Sequence, residues 1–83
     1  SKDPAKLLRD AMVLEDELAK DPDNARYRFY LAQSYRCHGD KEMALEHYKK
    51  RITLGGDPLE MYDSMLNAAL LEQEMKPNDG LYR

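Results

Sequence analysis

Residues 25–58 read ARYRFYLAQSYRCHGDKEMALEHYKKRITLGGDP, and this stretch decides the fold. Two apolar patterns of helical spacing stand on either side of Gly39-Asp40. On the first, Tyr27, Tyr30, Leu31, Ser34 and Tyr35 face one way with Ala32 beside them. On the second, Met43, Ala44, Leu45, Tyr48 and Ile52 form the stripe. Gly39 supplies a left-handed stop at little steric cost, and Asp40 caps the helix that follows. Gly55-Gly56 ends that second helix. Ala32 and Ala44 are small where the two helices must approach most closely, with Tyr35 and Tyr48 filling the adjoining space.

The flanks repeat this pattern. Upstream, Asp3 caps a helix whose first residue is Pro4, a position where no N–H is needed. Leu7, Leu8, Ala11, Leu14 and Leu18 form its stripe, and Asp21-Pro22-Asp23-Asn24 breaks it, with Asp23 or Asn24 free to cap the next helix. Downstream, Asp57-Pro58-Leu59-Glu60 is close to a capping box. Tyr62, Met65, Leu66, Ala69 and Leu70 form the fourth stripe, which ends at Lys76-Pro77-Asn78-Asp79-Gly80. Thirty-four residues back from Leu45, Tyr48, Ile52 and Gly56 stand Ala11, Leu14, Leu18 and Pro22. Thirty-four forward from Leu31, Ala32 and Tyr35 stand Met65, Leu66 and Ala69. The period lapses where Ala44 maps to Asp10 and Phe29 to Asp63. No β-type alternation of useful length occurs. The chain reads as all-α, a single domain over 1–83 with about four helices. Residues 3–20 are the second helix of a preceding repeat, 25–58 a complete repeat, 57–76 the first helix of a following one, and 77–83 a truncated tail.

Composition narrows the function. Eighty-three residues, 42% hydrophobic and 35% charged, suit one small helical domain rather than a disordered chain. A net charge of −3, with basic and acidic residues interleaved along helix faces, argues against nucleic acid as a partner. No apolar run approaches the roughly 18 residues of a membrane span, so no membrane role is expected. The single Cys37 excludes an internal disulfide framework and suits a reducing, cytoplasmic compartment. The abrupt ends, SKDP and GLYR, are expected of a piece of a longer protein.

With its 34-residue period and the order Leu31, Ala32, Tyr35, Ala44, Tyr48 and a breaker at Gly56, the chain resembles tetratricopeptide (TPR) repeats. The resemblance implies antiparallel helix hairpins in a right-handed α-solenoid. Each unit stacks on its neighbours and presents a surface to other proteins. The phrases RYRFYLAQSYR, MALEHYKKR and MYDSMLNAALLEQE are similar to TPR segments attached to family 2 glycosyltransferases, over residues 21 to 75. Arg51 departs from the generic repeat, which has Ala there, and matches that variant; Asp57-Pro58 departs from the variant, where an aromatic often follows the two glycines. The resemblance places any catalytic α/β domain elsewhere in a larger protein and transfers no catalytic residue onto this chain.

In repeats of this kind the first helix of each pair lines the concave face. The resemblance therefore implies a concave binding set of Arg26, Phe29, Gln33 and Arg36, joined by Asp63 and Asn67. Arg would pair a carboxylate and the amides would fix the backbone of an extended protein or peptide partner. The plain alternative is a solvated helix face, or a face that packs against a neighbouring repeat outside this sequence. A clamp for a chaperone's C-terminal carboxylate uses Lys and Asn, and of Phe29, Gln33, Asp63 and Asn67 only Asn67 is of matching type. Cys37, His38 and His47 are the soft metal-ligand candidates, but adjacent Cys37 and His38 point to different faces and no four-ligand set is completed. They read as a lightly buried Cys and two surface-leaning histidines. Glu15, Asp16, Glu17, Glu42 and Glu46 read as exposed charges and the tyrosines as core with hydroxyls at the rim. Arg51 reads as a structural ion pair, its stem packed between helices and its guanidinium on an acid or a helix carbonyl. No catalytic, cofactor or metal site is expected. Leu70, Leu71 and Met75 are candidate self-association residues, through which the last helix would form a homo-oligomer. The function expected is a non-catalytic interaction or scaffold module. Its rivals are a self-associating structural module and an accessory region shaping acceptor binding beside a glycosyltransferase domain.

Overall fold

A computed structural model of the chain describes residues 4–76, with side chains described from residue 9 onward. Asp3 and the tail 77–83 lie outside the described residues. Four helices follow one another: α1 (Pro4–Lys20), α2 (Ala25–His38), α3 (Lys41–Leu54) and α4 (Pro58–Met75). No strand occurs among the described residues. Each helix packs on its neighbour in sequence, α1 on α2, α2 on α3 and α3 on α4, and the short connections make consecutive helices antiparallel.

The punctuation is that of the sequence. Asn24 is the cap of α2, its Oδ1 accepting from the Tyr27 N–H at 3.1 Å. Asp40 caps α3 through the Met43 N–H at 3.2 Å. Gly39 sits at φ 97°, and its N–H reaches the Tyr35 and Arg36 carbonyls while the Asp40 N–H also reaches Tyr35, a closure of the helix end that only glycine adopts without strain. Asp57 caps α4 ahead of Pro58, accepting from the Leu59 N–H at 3.3 Å. Glu60 does not complete the capping box but turns its carboxylate to Arg51.

Two apolar clusters hold the stack. Ala11 and Leu18 of α1 meet Leu31 of α2, with Leu14, Tyr27 and Tyr35 packed around them. Phe29 and Ala32 of α2 meet Ala44 and Tyr48 of α3 and Ala68 and Leu71 of α4. Ala32 of α2 and Ala44 of α3 are both fully buried in this cluster. Phe29 meets the Tyr48 ring edge-on, with centroids 6.1 Å apart.

The fourth helix departs from the expected stripe. Tyr62, Met65, Leu66 and Leu70 are 65%, 48%, 45% and 45% exposed, while Ser64, Ala68 and Leu71 are buried. Helix α4 carries apolar residues on two adjacent faces. Small Ser64 and Ala68 admit the backbone of α4 close to its neighbours, which Met65 and Leu66 would hold off.

Candidate functional site

Among the described residues Arg51 is the most buried cation, and its surroundings explain why. It enters from the last turn of α3, is 1% exposed, and donates from Nε to Glu60 Oε1 of α4 at 2.7 Å. Its Nη1 donates to the Gly55 carbonyl at 2.5 Å and lies 3.4 Å from Met61 Sδ. One guanidinium thus answers an orphan carbonyl at the end of α3 and fixes the start of α4. Gly55 and Gly56, at φ 71° and 98°, make the turn that brings these groups together.

The expected concave set is only partly a surface. Arg26 and Gln33 are exposed on α2 and Asp63 on α4. Phe29 is instead a core residue, 8% exposed against Tyr48, because the turn of α2 toward α3 and α4 takes it inward. Arg36 is half-buried, with Nη2 3.6 Å from Glu74, whose other carboxylate oxygen lies 3.3 Å from Lys41. Asn67 donates to the Asp63 carbonyl one turn back, at 2.8 Å. Both Arg36 and Asp63 act electrostatically on the Tyr48 phenol. Burial pushes its pKa up, Arg36 opposes that, and Cys37 and Asp63 add to it. Among the described residues, the buried side-chain atoms Arg28 Nε, Arg36 Nη1, His47 Nε2 and Ser64 Oγ find no hydrogen-bond partner.

The expected self-association set divides. Leu70 and Met75 are exposed, at 45% and 36%, whereas Leu71 is wholly buried in the α2–α3–α4 cluster. Leu71 is thus a core residue and not part of a docking face. It shares the buried face of α4 with Ser64 and Ala68. Tyr62 is correspondingly a surface residue and not a core tyrosine.

Cys37 is exposed rather than lightly buried, and His38 is exposed. His47 is not a surface residue: it is 8% exposed, stacked on Tyr35 with centroids 5.6 Å apart and rings 5° from parallel. Its Nδ1 lies 3.2 Å from Arg28 Nη1, whose Nη2 donates to the Pro22 carbonyl at 2.9 Å. Burial first and the Arg28 charge second push the His47 pKa below its ordinary value, with Glu46 opposing. The Tyr35 hydroxyl donates to the Glu15 carboxylate of α1, so these side chains link three helices. Among the described residues no group of three or more His, Cys, Asp or Glu is placed to hold a metal ion, and no helix is long and apolar enough to cross a membrane.

One groove has substantial volume and an apolar lining. It holds about 480 Å³ and is walled by Asp10, Val13 and Leu14 of α1 and by the face of α2 running from Tyr30 to Cys37. Val13 is 61% exposed there. Periodicity could have found this wall, since these residues sit one period from the buried contacts of α3 and α4. A smaller hollow of about 190 Å³ lies on the other side of α2, where Glu15, Arg28 and His47 converge.

No family model matches the chain, and no curated protein or solved structure shows significant similarity to it.

Proposed function

We propose that this chain is a non-catalytic protein-interaction or scaffold module of TPR type, working as part of a larger protein such as a family 2 glycosyltransferase. The observation that carries the reading is the agreement of helix spacing with the sequence period. Helices α1 and α3 end 34 residues apart, at Lys20 and Leu54, and α2 and α4 begin 33 apart, at Ala25 and Pro58. In this reading α2–α3 is a complete hairpin within a right-handed solenoid, and α1 and α4 belong to the repeats on either side. The function is docking by shape and charge on the face of α2 and α4, in a cytoplasmic setting that suits the one free thiol. Arg26 and Gln33 stand exposed there, suited to a carboxylate and a backbone group of an extended peptide, with the half-buried Arg36 beside them.

A displayed library of random peptides panned on the folded chain tests this. Enriched peptides should carry acidic residues and lose at least tenfold in affinity on Arg26→Ala plus Arg36→Ala, with helicity unchanged. No enrichment, or equal binding to the double variant, would refute the peptide-docking reading. The self-association rival is favoured by one specific observation, the exposed apolar face of α4.

A further inference from the structure

We infer that His47 is an acid-operated switch: a proton on its ring sends the Arg28 guanidinium from α3 across the neighbouring hollow to Glu15 of α1. The switch needs only α1, α2 and α3 and does not depend on the docking reading. Arg28 reaches from α2 in two directions. Its Nη2 donates to the Pro22 carbonyl at 2.9 Å, and its Nη1 lies 3.2 Å from His47 Nδ1. A guanidinium only donates, so Nδ1 must be the acceptor. The ring is therefore neutral, with its hydrogen on Nε2.

Acid removes that acceptor. Nδ1 is the one ring nitrogen with a lone pair, so a proton from solvent lands there. The contact then sets donor against donor and brings a second positive charge to within 3.2 Å of the first. The ring is the partner that stays. It is 8% exposed and stacked on Tyr35 with rings 5° from parallel, and Glu46 beside it on α3 favours the cation. Arg28 is half-buried on a flexible stem and is the partner that moves.

The hollow supplies the destination. Glu15, Leu18 and Ala19 of α1 face Arg28 and Leu31 of α2 and His47 of α3 across about 190 Å³. Glu15 is the one charged side chain that α1 brings to this lining. Its Oε2 accepts from the Tyr35 hydroxyl, which leaves Oε1 for the guanidinium. Further along α3, Lys50 is exposed and Arg51 is held by Glu60. One hydrogen bond is broken, from Arg28 Nη1 to His47 Nδ1, and a charge-assisted one is made, from Arg28 to Glu15. The tie of α2 thus passes from α3 to α1. Burial and the Arg28 charge hold the His47 pKa below its ordinary value, so the neutral ring and the α2–α3 tie prevail at neutral pH.

Nitrogen NMR of the imidazole in a His38→Gln chain, where His47 is the one histidine left, tests the switch. At neutral pH the ring should show the Nε2–H tautomer, and below 6.5 it should titrate while circular dichroism stays helical. The Arg28 Nε–H is buried and unpartnered, so it is shielded from exchange and gives its own signal. That signal should shift with the same midpoint as the ring. Arg28→Met, which removes both the bond and the charge, should raise the proton affinity of His47 by about threefold or more. Glu15→Gln keeps an acceptor for Tyr35 but removes the destination, and should lower that affinity and leave the Arg28 signal unmoved. In the Arg28→Met background Glu15→Gln should change the affinity far less, because Glu15 acts through Arg28. An Nδ1–H tautomer at neutral pH, or an Arg28 signal that ignores the ring titration, would overturn the switch. So would helicity lost in step with that titration, since the proton would then unfold the chain instead of moving Arg28. A Glu15→Gln effect of full size without Arg28 would overturn the transfer to α1. The peptide-docking reading would stand or fall separately on the library experiment.

Discussion

Removing Glu60 tests the claim that one ion pair locks the α3–α4 corner. The Arg51 guanidinium is 1% exposed and holds Glu60 at 2.7 Å, the Gly55 carbonyl at 2.5 Å and Met61 sulfur at 3.4 Å. Glu60→Ala leaves that cation with a carbonyl and a thioether only. One-sided loss of a buried pair costs about 3–5 kcal/mol, and the 11% exposure of the Glu60 side chain puts the expected value near the lower end, about 3 kcal/mol. A domain of this size holds roughly 4–12 kcal/mol in all, so the change is a large fraction of its stability. Replacing both partners, Arg51→Met with Glu60→Leu, should recover most of the loss, because neither charge is then stranded. The assay is urea unfolding followed by helical circular dichroism, at low and at molar salt. The control is Glu72→Ala, whose partner Lys49 is 3.0 Å away but more than half exposed, where about 0–1 kcal/mol and strong screening are expected. The reasoning is refuted if Glu60→Ala costs no more than the control, or if molar salt abolishes the difference.

Ala44→Leu should cost about 1–3 kcal/mol by overpacking, since Ala44 is fully buried against α2; an unchanged urea midpoint would remove the close approach from the account. Leu71→Ala should cost about 2–5 kcal/mol and Leu71→Glu should unfold the chain; a folded but merely dissociated Leu71→Glu would contradict its burial. His47 makes stability fall on acidification. Its folded pKa lies below its ordinary value of 6.5, so the unfolded chain takes up the extra proton first. Stability is thus lost as the pH falls through about 6.5 and levels off once the folded imidazole also titrates. His47→Gln should flatten that part of the profile, measured as urea midpoints at pH steps, and an unaltered slope would show that this group does not contribute.

How much of this was legible beforehand depends on the kind of signal. The helix ends were, because caps act over three or four residues. Asn24, Gly39, Asp40 and Asp57 each do what their residue type and position dictate. The stripe of α1 from Ala11 to Leu18 and that of α3 were legible too, since one apolar face on a helix leaves one way to turn it inward; Leu7 and Leu8 lie outside the described side chains. On α4 periodicity failed. Two adjacent apolar faces satisfy the same spacing, and only the packing of Ala68 and Leu71 on α2 and α3, with Ser64 buried on the same face, chose between them. Phe29 and Leu71 changed from expected surface to core for the same reason, as did His47, whose stacking on Tyr35 needs two helices already in place.

By itself the chain's sequence determined four helices, where they stop, a 34-residue period and the small residues at Ala32 and Ala44. These follow from local sterics and backbone hydrogen bonding, which act between near neighbours in the chain. Only the tertiary structure decided which face of α4 is buried, that Arg51 reaches Glu60 across the corner, and that Val13, Leu14 and the Tyr30–Cys37 face enclose a groove. Those outcomes depend on the angle and separation of whole helices, set by the summed packing of side chains distant in sequence.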